Sequence, residues 1–233
     1  MLKGRNPTSA TLVRRRDGGF YLHVQICDAA PEPASVTDHL GVDLGVANIA
    51  TDSDGTIHSG KPVDDVRRKN NLQRKRLQRK GTKGARKKLV RVSRKESRFK
   101  RHLNHEISRR IVDTAKRTGR GIALEKLKGI RTRIRARGGE AFNRLSGWSF
   151  AQLATFIAYK AVLAGVPVVY VDPRHTSQRC AECGHTERSN RKSQSEFVCK
   201  SCGLSAHADK NAARNQRALA NRSVAIELDS QVG

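Results

Sequence analysis

Two cysteine pairs, Cys180-Ala-Glu-Cys183 and Cys199-Lys-Ser-Cys202, stand fifteen residues apart towards the end of this 233-residue chain. Each pair forms a knuckle that turns two thiolates to one side, and two knuckles supply the four ligands of a tetrahedral zinc site. Gly184 and Gly203 follow the pairs and let the backbone turn tightly beside the metal. Four thiolates close the coordination shell and leave no position for substrate, so the expected role of the zinc is structural. His185 and His207 lie near in sequence but are not needed as ligands. The fifth cysteine, Cys27, ends the alternating run YLHVQIC and reads as a small buried or edge residue. An odd cysteine that leaves two Cys-x-x-Cys pairs fits metal ligation in a reducing compartment better than a disulfide framework.

Three carboxylates suggest a second chemistry: Asp43 inside an apolar run, Glu125 at the end of another, and Asp209 at the start of an Ala-rich segment. An acid embedded in an apolar strand is costly to bury without a partner or a metal. Hydrolysis of a phosphodiester calls for a negative cluster that holds two magnesium ions about 3.5–4 Å apart, one activating water and one stabilising the leaving oxygen. Carboxylates suit hard magnesium. From the residues alone, plainer readings stay open: Asp43 terminating its strand, and Glu125 pairing with a neighbouring lysine or arginine. Asp172, closing VPVVYVD, is a further candidate, ranked below Asp209 because it precedes a proline in a turn.

The elements that must position these residues can be read from periodicity. SATLVRRRDGGFYLHVQICD predicts two strands around an RRRDGG turn, a hairpin with no obvious third partner. After the linker APEPASVTDH, the segment HLGVDLGVANIATDSDGTIHSG predicts a strand carrying Asp43, a glycine-containing turn and a second strand. GIALEKL is a short buried strand ending in Glu125, SFAQLATFIAYKAVLAGV a helix stopped by Gly165 and Pro167, and VPVVYVD another strand. SAHADKNAARNQRALANRSVAIEL predicts a final helix, with a frayed tail after Leu228. Trp148, Phe142 and Phe150 read as core anchors rather than stacking platforms. Arg174, Thr176, Ser177 and Gln178 either touch DNA phosphates or cap the turn into the cysteine segment. Strands alternating with helices give an α/β fold.

Charge identifies the class of partner. The net charge of +26 and pI near 10.9 create a field that attracts polyanions. Nearly half of the 47 Lys and Arg residues fall between Val66 and Arg120, against only Glu96, Glu106 and Asp113. That stretch predicts a basic helical hairpin broken at GTKGA, 81–85. With 4% aromatic residues, phosphate contacts rather than base stacking should dominate nucleic-acid affinity. No apolar run reaches the roughly 20 residues of a membrane span, and the first residues lack an apolar signal core. The expected setting is cytoplasmic and nucleoid-associated, with DNA as partner and no membrane.

In order and spacing, GVDLGVANIATDSDG at 41–55, IALEKLKGI at 122–130 and CAEC…CKSCGLSAHADKNAARN at 180–215 resemble the three split RuvC motifs and zinc ribbon of TnpB (OrfB-type) transposon proteins, relatives of the type V CRISPR effectors. The resemblance covers roughly residues 40–215. It implies an RNase H-like (RuvC) domain with a basic helical insertion and an inserted four-cysteine zinc ribbon, preceded by a short β-hairpin. Asp43, Glu125 and Asp209 would hold magnesium and act catalytically, and Cys180, Cys183, Cys199 and Cys202 would hold zinc. The implied division is 1–36 hairpin remnant of a wedge-like domain and linker, 37–65 first RuvC part, 66–120 basic hairpin, 121–176 second RuvC part, 177–204 ribbon, 205–228 third RuvC part and 229–233 tail. Within it, 66–120 would contact guide RNA or heteroduplex, and 129–147 would act as a lid.

The expected function is therefore a transposase-family, magnesium-dependent DNA endonuclease guided by RNA and associated with transposition. Members of the family carry a long N-terminal recognition region and wedge-like barrel, of which only the hairpin at 9–28 has a counterpart here. That difference motivates an alternative, a truncated zinc-ribbon nucleic-acid-binding protein without cleavage. GVDLG alone also fits actin-like ATPases, but no second glycine-rich phosphate loop accompanies it.

Overall fold

The computed structural model describes residues 6–15, 18–27, 29–126 and 150–232, and the chain divides into two compact units, Met1–Glu32 and Pro33–Gly233. In the first, β1 (Pro7–Arg14) and β2 (Phe20–Ile26) pair antiparallel, with Leu12 opposite Leu22 and Arg14 opposite Phe20. No third strand joins them among the described residues, and Leu12, Phe20 and Leu22 are exposed. Cys27, just after β2, is exposed as well. Burial does not account for it, because a two-stranded ribbon has no covered face.

The second unit is built on β3 (His39–Asp43), β4 (Asn48–Asp52), β5 (Ile57–Ser59), β6 (Gly121–Glu125) and β7 (Val168–Val171), in the sheet order β5-β4-β3-β6-β7. β3, β6 and β7 run parallel, β4 pairs antiparallel with β3, and β5 pairs antiparallel with β4. Successive side chains of a strand point to opposite faces, and this separates the sequence into two layers. Leu40, Val42, Ile122 and Leu124 form one core with the helices Lys83–Arg117 and Phe150–Ala164. The alternate positions, His39, Gly41 and Asp43 on β3 and Gly121, Ala123 and Glu125 on β6, face the last helix.

α1 (Lys61–Lys80) and α2 (Lys83–Arg117) form the basic hairpin. α1 begins at Lys61 rather than Val66, because Pro62 occupies its first turn, where a missing N–H costs nothing. Gly81 at φ 65° ends α1, and the Thr82 hydroxyl accepts from the Ala85 amide at 3.2 Å to start α2. Buried Glu96 on α2 ties the two helices together, accepting from Arg74 at 2.8 Å and Asn70 at 2.9 Å on α1 and pairing with Lys100 at 2.7 Å. The far end of α2, through Ile107, Ile111, Val112 and Ala115, lies on the sheet beside α3 (Phe150–Ala164), which contributes Leu153, Ile157 and Ala161. Phe150 packs against this core, while Phe142, Trp148 and the lid segment 129–147 lie outside the described residues.

α4 (Ala208–Val232) covers the opposite face and runs past Leu228, where the sequence predicts a tail. Its buried alanines Ala212, Ala213 and Ala220 permit close approach to the sheet. A Cβ at Gly41 would lie 2.0 Å from the Ala213 carbonyl oxygen, so helix and strand meet backbone to backbone. Gln216 reaches Asp43, Arg217 lies at Gly41, and Asn221 bonds His39 at 2.9 Å. Arg217 and Asn221 are one helical turn apart, about 6 Å, and meet Gly41 and His39, two strand residues or about 6.6 Å apart. Asp38 anchors α4 further by accepting from two Arg217 nitrogens, Nε at 2.8 Å and Nη2 at 2.6 Å. No helix among the described residues is long and apolar enough to cross a membrane.

Candidate functional site

The parallel strands bring two acids together. Val42 pairs with Leu124 in the parallel ladder, so Asp43 and Glu125, one residue further on, end adjacent strands on the same face. The region beyond the carboxyl ends of parallel strands is where α/β sheets bind ligands. Asp209, in the first turn of α4 and 2% exposed, reaches the same end of the sheet from above. It accepts from Asn48 Nδ2 at 2.9 Å and lies 3.3 Å from the Arg191 guanidinium.

Gln216, seven residues after Asp209 and so on the same face of α4, joins the other two acids. Its Nε2 donates to Asp43 Oδ1 at 3.3 Å and to Glu125 Oε1 at 3.0 Å. The Thr176 hydroxyl donates to the same Glu125 oxygen at 3.2 Å. Burial, then the charges of Glu125 and Asp209, push the Asp43 carboxyl well above the usual carboxylate range, against the pull of Arg191 and the Gln216 bond. Burial also raises Glu125, held back by its bonds from Thr176 and Gln216. Acids that resist ionising together, beside a Gln216 Oε1 that is buried without a hydrogen-bond partner, have the chemistry of a site suited to a hard cation. They converge less tightly than the cysteines, because Asp209 is turned towards Asn48 and Arg191.

Asp172 stands apart from this cluster. It is exposed and caps its own turn, accepting from the Arg174 amide at 3.0 Å. Glu125 does not pair with a lysine or arginine among the described residues; its partners there are neutral. Of the four residues weighed as phosphate contacts, Thr176 is buried on Glu125 and on the Pro173 carbonyl, while Gln178 takes part in the turn through its backbone.

The four cysteines form the second centre. Their sulphurs all lie within 4.8 Å of one another, with Cys180 to Cys202 at 3.7 Å and Cys183 to Cys199 at 3.5 Å. A tetrahedron with metal–sulphur bonds of about 2.3 Å has edges of about 3.8 Å, so the thiols already fit a metal. The two knuckles repeat each other. The Cys180 amide donates to the His185 carbonyl and the Cys199 amide to the Leu204 carbonyl, both at 2.9 Å. Gly184 and Gly203, at φ 76° and 74°, each donate back to the first cysteine of their pair at 3.1 Å. Backbone N–H groups of Cys202 and Ser201 pull the Cys199 thiol down to about 6, the thiolate form that metals bind. His185 turns instead to Glu187 at 3.1 Å, and His207 Nδ1 meets the Asp209 amide at 3.3 Å. β8 (Glu196–Val198) and β9 (Ser205–His207) pair around Phe197, carrying the ribbon to His207, past residue 204, before α4 starts.

The ribbon and the acids share supports. Asn211 and Asn215 of α4 each donate to the Arg179 carbonyl at 2.7 Å, and Asn215 also holds the Thr176 carbonyl at 2.9 Å. Arg191, on the ribbon, reaches Asp209. Sequence reasoning does not find Arg191, Asn48 or Gln216. Only Gln216 leaves a local signal, its two-turn spacing from Asp209.

A profile of the family described as "Probable transposase" (OrfB_IS605) matches residues 21–129, and one described as "Cas12f1-like, TNB domain" matches residues 150–216. A CRISPR-associated endodeoxyribonuclease Cas12f1 of Sulfoacidibacillus thermotolerans is 34% identical, covering 92% of this chain and 54% of the relative. The "Putative RNA-guided DNA endonuclease InsQ" of Escherichia coli (strain K12) is 31% identical over 85% of this chain and 53% of its own length. The chain thus spans about half the length of these curated relatives. The cryo-EM structure of a Cas12f1–sgRNA–target DNA complex superposes with a TM-score of 0.63 at 23% identity, over 87% of this chain and 54% of that one, a likeness of fold.

Proposed function

We infer that this chain, which belongs to the TnpB (OrfB, IS605-type) transposase family and is related to RNA-guided DNA endonucleases such as Cas12f and InsQ, is a divalent-metal-dependent DNA nuclease directed by RNA. The five-stranded sheet with its mixed order and flanking helices is read as the RNase H-like (RuvC) core. Asp43, Glu125 and Asp209 are its magnesium ligands and catalytic acids, and Cys180, Cys183, Cys199 and Cys202 hold a structural zinc.

One observation carries this reading. Three acids separated by 82 and 84 positions in sequence stand near one another at the carboxyl end of the parallel strands, where the charges of Glu125 and Asp209 act on Asp43 and two of the carboxyls are raised. Bound magnesium would supply the Lewis acidity that activates water and stabilises the leaving oxygen. The protein's own contribution is the fixed placement of the carboxylates by β3, β6 and α4, and the delivery of one guanidinium, Arg191, able to meet a phosphate oxygen. The basic α1–α2 hairpin supplies the phosphate-binding charge for guide RNA or heteroduplex.

The test is a cleavage assay on single- and double-stranded DNA, with and without magnesium and RNA from the flanking locus, comparing the chain with Asp43→Ala. Magnesium-dependent cutting that the substitution abolishes, with salt-sensitive binding retained, supports the nuclease. Binding without cutting under every condition replaces it with the nucleic-acid-binding reading.

A further inference from the structure

Gln216 is fully buried, in a layer where Ala123, Val171, Ala220 and Leu219 form an apolar contact between α4 and the sheet. An apolar side chain of similar length would fill the same space without polar atoms to satisfy. The amide is instead used on one side only. Nε2 stands between Asp43 Oδ1 at 3.3 Å and Glu125 Oε1 at 3.0 Å, while Oε1 has no hydrogen-bond partner. A buried amide with an orphaned carbonyl is unfavourable unless something else visits the site.

We propose that Gln216 is a positioning residue for the metal-binding acids: its amide nitrogen, shared by Asp43 and Glu125, holds the two carboxylates in place for a divalent cation, and its free carbonyl would accept from a cation-bound water. The inference rests on the nuclease reading above. Gln216 acts through the two carboxylates and through metal-bound water, not on the phosphodiester itself. Side chains that orient metal ligands in this way commonly change metal affinity about 10–100-fold when they are removed.

The experiment titrates the zinc-loaded chain with Mn²⁺, reading free ion by electron paramagnetic resonance and thermal melting in parallel, for wild type, Asp43→Asn, Gln216→Met and Gln216→Glu. Gln216→Met conserves volume and removes the amide; Gln216→Glu conserves shape and adds a third anion beside the acid pair. The expected result is Mn²⁺ binding to wild type that Asp43→Asn removes, at least about tenfold weaker binding in Gln216→Met, and a larger Mn²⁺-induced rise in melting temperature for Gln216→Glu. A residue that only packed would lower the melting temperature of the metal-free variants and leave Mn²⁺ affinity unchanged, and that result overturns the proposal. If Gln216→Met does not fold, a Mn²⁺ response of Gln216→Glu equal to wild type overturns it alone. Absence of any Mn²⁺ binding sensitive to Asp43→Asn would defeat the metal-site reading, and this proposal with it, whereas binding that ignores both Gln216 variants defeats this proposal only.

Discussion

Asp43→Asn is expected to make the metal-free protein more stable while destroying its response to magnesium. Asp43 Oδ1 and Glu125 Oε1 both lie within hydrogen-bonding distance of one nitrogen, at 3.3 and 3.0 Å, and so within about 6 Å of each other. Two charges at that separation repel by about 3 kcal/mol at an effective dielectric constant of about 20. Solvent at the strand end and the lost attraction to Arg191 reduce the net relief to about 1–2 kcal/mol, roughly 2–8 °C in melting temperature for a chain of this size. The sign depends on pH. Folding raises the Asp43 carboxyl above its ordinary value of 3.8, so the folded chain holds that proton more tightly than the unfolded chain does. Stability is therefore lost as pH climbs from that ordinary value through the raised one, and the asparagine variant escapes the loss. Melting of zinc-loaded, magnesium-free protein at a pH close to the ordinary carboxyl value of 3.8 and at a pH well above it should show a small advantage for the variant at the lower pH and a larger one at the higher. Added magnesium should then raise the wild type only. A variant less stable than wild type at the higher pH, or equally favoured at both, would refute the electrostatic reasoning.

Three further outcomes are expected. Cys199→Ser should release the ribbon metal and expose Phe197, read as metal content per chain and proteolysis within 175–210; retention of one metal per chain would count against the four-cysteine site. Glu96→Gln should leave Arg74 and Lys100 without their buried counter-charge, lowering stability by about 1–3 kcal/mol, with hydrogen exchange accelerated mainly in α1. Replacing exposed Arg94 and Arg101 of α2 by alanine should weaken nucleic-acid binding evenly across sequences, each change lowering the slope of log affinity against log salt by about one.

Local chemistry was legible in the sequence. The cysteine knuckles are defined by spacing and a following glycine, and the strands bearing Asp43 and Glu125 are short apolar runs with an acid at the end. Helix boundaries set by particular residues, such as Gly81 and Thr82, could also be read. The fifth strand, Ile57–Ser59, was not, because three residues carry no periodicity. The reach of the ribbon to His207 was hidden as well, since β9 is defined by its pairing with β8. The surroundings of the acids depend on contacts over long separations. Gln216 is 173 residues from Asp43, and Asn48 is 161 from Asp209, so neither partner is visible in any window along the chain. Arg191, 18 residues before Asp209 within the ribbon, meets it only through the fold.

Gly41 takes no part in any reaction, yet it constrains mutation as severely as a catalytic group. With the Ala213 carbonyl oxygen 2.0 Å from where a side chain would begin, even alanine must displace the helix that carries both Asp209 and Gln216. In a saturation scan, position 41 should tolerate almost nothing, and activity should fall even in variants that still fold. Selection there acts through the atoms that must be missing. The distance between the strand of the first acid and the helix of the last is thus fixed by one carbon atom that is left out.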